Sequence, residues 1–138
     1  MPSAFLDTNI LLYAAAGQTH ERGKAEVARA LIAGGDFGIS VQVLQEFFVN
    51  AQRPAIGLSA GDTDAWIVDL LEFECVFSDL PLFLRGLSLA RRYQISYWDG
   101  AILAGAERLG ASILYTEDLN HDQLYGAVRV INPFLSSQ

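Results

Sequence analysis

The chain has 138 residues and a mass of 15.1 kDa, the size of one domain that can close a hydrophobic core without disulfides or a structural metal. Hydrophobic residues make up 51 % of it, but no uninterrupted apolar run approaches the about 20 residues of a spanning helix, and the first residues lack a secretory pattern; the expectation is a single cytoplasmic domain over residues 1–138, without membrane contact. The formal net charge of −7 speaks against broad electrostatic capture of nucleic acid, while one cysteine, Cys75, and two isolated histidines, His20 and His121, exclude an internal disulfide and a zinc-type cluster.

Taken in chain order, residues 3–6 read as a buried strand, and the "TNILLYAAA" that follows reads as a short helix ended by Gly17. Residues 20–33 predict a second helix, with Val27, Ala30 and Leu31 on one side, and "FGIS" a second strand. The segment "VQVLQEFFVNAQR" predicts a helix that must stop before Pro54. Ser59 opens the next helix as its N-cap, and "ECVF" is a third strand, with Cys75 read as strand core and not as a nucleophile. Residues 79–93 predict a helix that tolerates Pro81 in its first turn, and residues 97–109 another that ends at Gly110. "SILYT" and "AVRVI" supply a fourth and fifth strand before a polar tail. Strands alternating with helices over short connections predict a parallel α/β sandwich.

Two of these strands run directly into carboxylates, Asp7 in "FLDTN" and Asp118 in "YTEDL". Parallel folds of this class gather ligands at strand C-terminal ends, so both can share one cleft. Asp7 could instead serve only as a helix cap, although Thr8 and Asn9 could cap equally well. Asp99 follows Ser96 in the S-x-x-D spacing of a capping box, but its helical neighbours Ile102, Leu103 and Ala106 form the apolar stripe. A carboxylate centred on such a stripe is costly unless paired or bound to a cation, which favours a functional role. Spacing alone leaves Glu46 on the solvated flank of its helix and does not choose between Glu117 and Asp118. A few carboxylates around one cleft suit a hard divalent cation, with water completing the shell, and such a set without a lysine or serine nucleophile points to metal-assisted hydrolysis of a phosphodiester.

The four motifs, Asp7 in "FLDTN", Glu46 in "QEF", Asp99 in "SYWDGAILA" and Asp118 in "YTEDL", occur in an order that resembles the PIN-domain ribonucleases. The likeness spans essentially the whole chain and is strongest to the VapC toxins of bacterial toxin-antitoxin pairs. It implies a PIN-like three-layer α/β/α sandwich whose central, mostly parallel sheet has about five strands. The activity implied is that of an endoribonuclease dependent on Mg²⁺ or Mn²⁺, neutralised by a cognate antitoxin, with in-line attack of an activated water on phosphorus. Asp7, Glu46, Asp99 and Asp118 would be the catalytic, metal-binding residues, and Thr8, Asn9 and Thr116 their polar support. One departure is Asp122, where related toxins often carry glycine.

The net-charge objection is met in part by the cation and in part by arginines, with Arg91 and Arg92 the candidates for RNA contact. The high apolar fraction fits a homodimer that also covers surface with an antitoxin, for which Phe47, Phe48 and Trp66 are candidate anchors. Two rival phosphate chemistries fit less well. A receiver-type phosphoacceptor needs a lysine at a late strand end, whereas Lys24 lies on an early helix, and a haloacid-dehalogenase-type phosphatase needs a second aspartate where Asn9 stands. The rival of another class is a PIN-like module that binds RNA or protein without cutting.

Overall fold

The structure is a computed structural model that describes residues 2–16 and 22–135. The expected helix end at Gly17, the start of the second helix at residues 20–21 and His20 lie outside the described residues. Within them the order is β1 (Ala4–Leu6), α1 (Thr8–Ala16), α2 (Arg22–Gly34), β2 (Phe37–Ser40), α3 (Val41–Ala51), α4 (Ala60–Leu70) and β3 (Cys75–Val76). Then follow α5 (Leu80–Tyr93), α6 (Tyr97–Leu109), β4 (Ile113–Tyr115), β5 (Leu124–Tyr125) and β6 (Val128–Ile131).

The strands form one six-stranded sheet in the order β3-β2-β1-β4-β6-β5, parallel except for β5. The chain first winds outward from β1 through β2 to β3, then returns across the sheet to β4 on the other side of β1. Right-handed crossovers therefore place α1–α4 on one face and α5 and α6 on the other, the expected three layers. The reversal occurs between β1 and β4, the point at which parallel sheets open a crevice at their C-terminal edge.

Phe5 and Leu6 of β1, Ile39 of β2 and Leu114 of β4 are fully enclosed, with Ile10, Leu11, Val43 and Phe47 packing from one face and Leu103 from the other. The central strands read as continuous apolar runs because both of their faces are covered. Helix starts follow local chemistry. Ser40, Ser59, Asp79 and Ser96 each accept the N–H of the residue three positions on, at 3.0–3.2 Å, which satisfies one of the orphan donors of the first turn. Gly110 closes α6 in the left-handed conformation at φ 85°.

The expectation of about five strands is met with one addition. β5 is two residues long and pairs with β6 across the two-residue connection Gly126–Ala127, with Gly126 at φ 60°. It is a short edge strand, and Tyr125 anchors it by packing edge-on against Tyr93 at 4.9 Å between ring centroids. Cys75 is half-buried in β3, and burial pushes its thiol up from the ordinary value, which agrees with a structural role. Among the described residues no helix is long and apolar enough to cross a membrane.

Candidate active site

β1 ends at Leu6, and the chain turns directly into α1 through Asp7, which is only 6 % exposed. Its backbone N–H continues the sheet by donating to the Tyr115 carbonyl at 3.1 Å, which fixes Asp7 beside the end of β4. The carboxylate receives two donors there. The Thr8 N–H reaches Oδ1 at 2.7 Å, and the Thr116 hydroxyl donates to Oδ2 at 2.7 Å. The Asp118 N–H in turn donates to Thr116 Oγ1 at 3.2 Å, closing the turn that carries Asp118 back over the edge.

The third carboxylate arrives from α3. α1 packs against α3, and the Thr8 hydroxyl donates to Glu46 Oε1 at 2.8 Å. Glu46 is half-buried, so its helical spacing is a poor guide to its place. Asp99 comes from the opposite layer, in the first turn of α6, where the Ser96 cap fixes the helix start. Asp7, Thr8, Asn9, Glu46, Asn50, Trp98, Asp99, Ile102 and Asp118 line a cleft of about 160 Å³. Of the residues named from sequence, the six cleft-lining ones meet here, and Thr116 stands behind Asp7. Arg91 and Arg92 do not: both are exposed in the last turn of α5.

The turn after β4 also separates its two adjacent acids. Glu117 points away from the cleft, accepts from the Tyr13 hydroxyl and pairs with Lys24 Nζ at 2.9 Å, with Lys24 lying 4.9 Å from the Tyr13 ring centroid. Asp118 is the member that faces the cleft. Asp122 is exposed and lies outside it, at φ 64°, with its carboxylate 3.3 Å from Arg129 Nη1. That left-handed backbone explains why glycine suits the position, and aspartate is among the few other residues that enter it readily. His121 is an exposed turn residue whose Nδ1 accepts the Asn132 N–H at 3.0 Å.

Burial and crowding of like charge disfavour ionisation in the cleft. Desolvation dominates at Asp7 and pushes its pKa up to about 7, against the opposing bonds from Thr116 and Thr8, while Asp118 and Glu46 add repulsion. Asp99 is raised by desolvation, opposed by the Ser96 side chain and assisted by Glu46. Asp118 is raised by partial desolvation and by its neighbours Asp99 and Glu117. A group of carboxylates that is uncomfortable when ionised is one that gains from a cation.

The donor set, carboxylate oxygens with threonine hydroxyls and no exposed sulfur, fits a hard cation of the Mg²⁺ or Mn²⁺ type. Among the described residues no three Asp, Glu, His or Cys side chains stand close enough together to hold a metal ion as they are placed. The acids line a cleft, an arrangement suited to a cation that keeps several waters and takes only a few protein oxygens.

Two features of the site were not foreseen. Asn50 lies one turn beyond Glu46 on α3 and donates through Nδ2 to the Glu46 carbonyl at 2.8 Å; the i+4 spacing was the available signal. Trp98 precedes Asp99, is 63 % exposed and has its carbonyl held by Gln42 Nε2 at 3.2 Å. The expected aromatic anchors also need correction. Phe47 is fully buried and Trp66 is half-buried against it, with ring centroids 6.4 Å apart, so only Phe48 stands outside as an exposed aromatic of that set.

The sequence profile of the PIN domain matches residues 4–127, and no curated protein sequence is significantly similar to the chain. Among solved structures, a toxin-antitoxin complex from Klebsiella pneumoniae superposes with a TM-score of 0.72 at 21 % identity, covering 95 % of this chain and 98 % of that one. VapC20 of Mycobacterium tuberculosis, described as a sarcin-ricin loop cleaving toxin, gives 0.67 at 19 % identity over 84 % of this chain and 90 % of that one. DNA-bound VapBC from Salmonella typhimurium gives 0.66 at 16 % identity, covering 94 % and 97 %. At these identities the likeness is one of fold.

Proposed function

The chain belongs to the PIN-domain family, and from that membership and its acidic cleft we propose that it is a divalent-cation-dependent endoribonuclease. We infer further that it is the toxin of a VapBC-type pair, held inactive by a cognate antitoxin. The observation that carries the reading is the meeting of Asp7, Glu46, Asp99 and Asp118, from four separate segments, in one cleft at the β1–β4 switch point. Folding brings four like charges together at a cost, and a bound cation is what offsets it.

In this reading Asp7, Glu46, Asp99 and Asp118 hold Mg²⁺ or Mn²⁺. When bound, the cation supplies an activated water at neutral pH and neutralises charge on the phosphate. The chain's own groups do the rest. Thr8 and Thr116 orient Glu46 and Asp7 by hydrogen bonds. Asp99 and Asp118 line the cleft from its two sides and would be the groups to accept a proton from water there. Ile102 forms an apolar part of the cleft wall.

Arg91 and Arg92, exposed and unpaired by any acid among the described residues, directly follow Ala90, which abuts Gly100 beside Asp99. They are proposed to hold RNA phosphates; replacing both with alanine should weaken RNA binding and flatten its salt dependence. Exposed apolar side chains, Phe48 and Val49 on α3 and Leu80, Phe83 and Leu84 on α5, offer surface for a homodimer and for the antitoxin. Toxin-antitoxin complexes among the structural relatives support that partner.

The test is incubation of purified, partner-free protein with cellular RNA in Mg²⁺, Mn²⁺ or EDTA. Discrete fragments that disappear in EDTA are expected. Intact RNA under every cation, from folded protein, would leave the binding-module reading in its place.

A further inference from the structure

The acidic cleft, at about 160 Å³, is too small for a nucleotide, but it opens into a second groove of about 360 Å³ that shares Glu46, Asn50 and Trp98 as walls. The far side of that groove is formed by Gln45, Val49 and Arg53. Gln42, Gln45, Val49 and Arg53 follow one another at three- and four-residue steps, with Glu46 beside Gln45, so one continuous face of α3 and its exit faces the exposed indole.

The groups on this face are available for recognition. Trp98 is pinned but open: Gln42 holds its carbonyl, Tyr97 meets its ring edge-on at 5.2 Å between centroids, and 63 % of the residue remains exposed. Asn50 uses its amide N–H₂ on the Glu46 carbonyl, which leaves its oxygen as an acceptor. Among the described residues neither the Gln45 amide nor the Arg53 guanidinium is hydrogen-bonded or ion-paired. A fixed aromatic face, two amides and one arginine beside a phosphodiester-sized acidic cleft are the elements of a single-strand nucleobase site.

We propose that this groove is a nucleobase subsite, in which Trp98 stacks on an unpaired base next to the scissile phosphate while Asn50 and Gln45 face its edge and Arg53 contacts the adjoining backbone. The proposal rests on the ribonuclease reading and assigns to it the residues that grip the base beside the scissile phosphate. Stacking also answers the charge problem, because every base has a π face and the attraction does not depend on the net charge of the protein.

The test uses a short, mixed-sequence single-stranded oligoribonucleotide and the duplex of the same sequence. In Trp66→Phe/Asp7→Asn protein, Trp98 is the only tryptophan, and the single strand is expected to quench its emission in Mg²⁺ while the duplex does not. In otherwise native protein, Trp98→Ala is expected to raise KM for the single strand roughly 5- to 150-fold with kcat changed far less, and Trp98→Phe to recover most of the loss. Metal-dependent cleavage by the native protein with KM unaltered in Trp98→Ala would overturn the subsite and leave the ribonuclease standing. Absence of any cleavage by the native protein would instead strike the ribonuclease reading on which the subsite depends. Emission that shifts with protein concentration alone would make Trp98 part of an interface between copies and would also overturn the subsite.

Discussion

Thr116 donates its hydroxyl to Asp7 Oδ2 at 2.7 Å across 109 positions of the chain, with both residues buried at the ends of adjacent parallel strands. The bond favours the ionised carboxylate against the desolvation that opposes it. Thr116→Val keeps the side-chain shape and deletes both the donor to Asp7 and the acceptor of the Asp118 N–H. Asp7 should then titrate above its present value, so protons compete better with a cation. We expect Mn²⁺ affinity at pH 7 to fall by about tenfold, as loss of one hydrogen bond to a charged group predicts, and to recover as pH rises. Thr116→Ser should stay close to native. Titration calorimetry at two pH values checks this, and an affinity loss independent of pH would point to plain structural damage.

The stability of the cation-free protein carries the same signature. The folded state holds a proton on Asp7 up to about pH 7, whereas an unfolded aspartate releases it near 3.8. Between those values the native state binds more protons than the unfolded chain, so stability falls as pH rises through the window. The contribution amounts to at most roughly 4 kcal/mol, and the raised Asp99 and Asp118 act in the same direction. Glu107, held low by Arg85, works in the opposite sense and at more acidic pH. In EDTA the melting temperature should therefore drop from pH 5 to pH 8, less so in Asp7→Asn, and Mg²⁺ at pH 8 should restore the native protein but not the variant. A melting temperature unchanged across this range would contradict the crowded-carboxylate picture.

Asp99 depends on a close helix crossing. A Cβ on Gly100 would lie 2.4 Å from the Gly86 carbonyl oxygen and 3.0 Å from Ala90 Cβ, both on α5. Gly100→Ala must push α6 away from α5 and carry Asp99 with it. The expected cost is about 1–3 kcal/mol, accompanied by weaker cation binding. Gly61 in α4 meets nothing within 4 Å, so Gly61→Ala serves as the control and should be neutral or slightly stabilising. Equal behaviour of the two variants in thermal melts would remove the crossing from the account.

The parts of this structure legible in the sequence are those written in local chemistry. Ser59, Ser96 and Gly110 mark helix ends because caps are satisfied within three or four residues, and the bounds of α1 and α6 match their expected spans, whereas Asp79, read as the first residue of its helix, is its N-cap. β5 escaped because two residues carry no periodicity, and only Gly126 signalled the hairpin. Glu46 looked solvated on its own helix because its burial depends on Thr8, which reaches it from 38 positions away. The choice between Glu117 and Asp118 was likewise tertiary, made by Tyr13 and Lys24 from α1 and α2. The groove beside Trp98 was invisible for the same reason, since α3 and α6 meet only in the fold.

The neighbouring acids Glu117 and Asp118 provide the most direct measurement of the central claim. RNA cleavage in Mg²⁺ and Mn²⁺ should be compared for the native protein, Asp7→Asn, Glu46→Gln, Asp99→Asn, Asp118→Asn and Glu117→Gln. Each of the first four variants should lose at least about a hundredfold in rate, because each removes a carboxylate from the cleft, while Glu117→Gln should retain native activity. Full activity in Asp7→Asn or Asp118→Asn, or loss confined to Glu117→Gln, would contradict the site described.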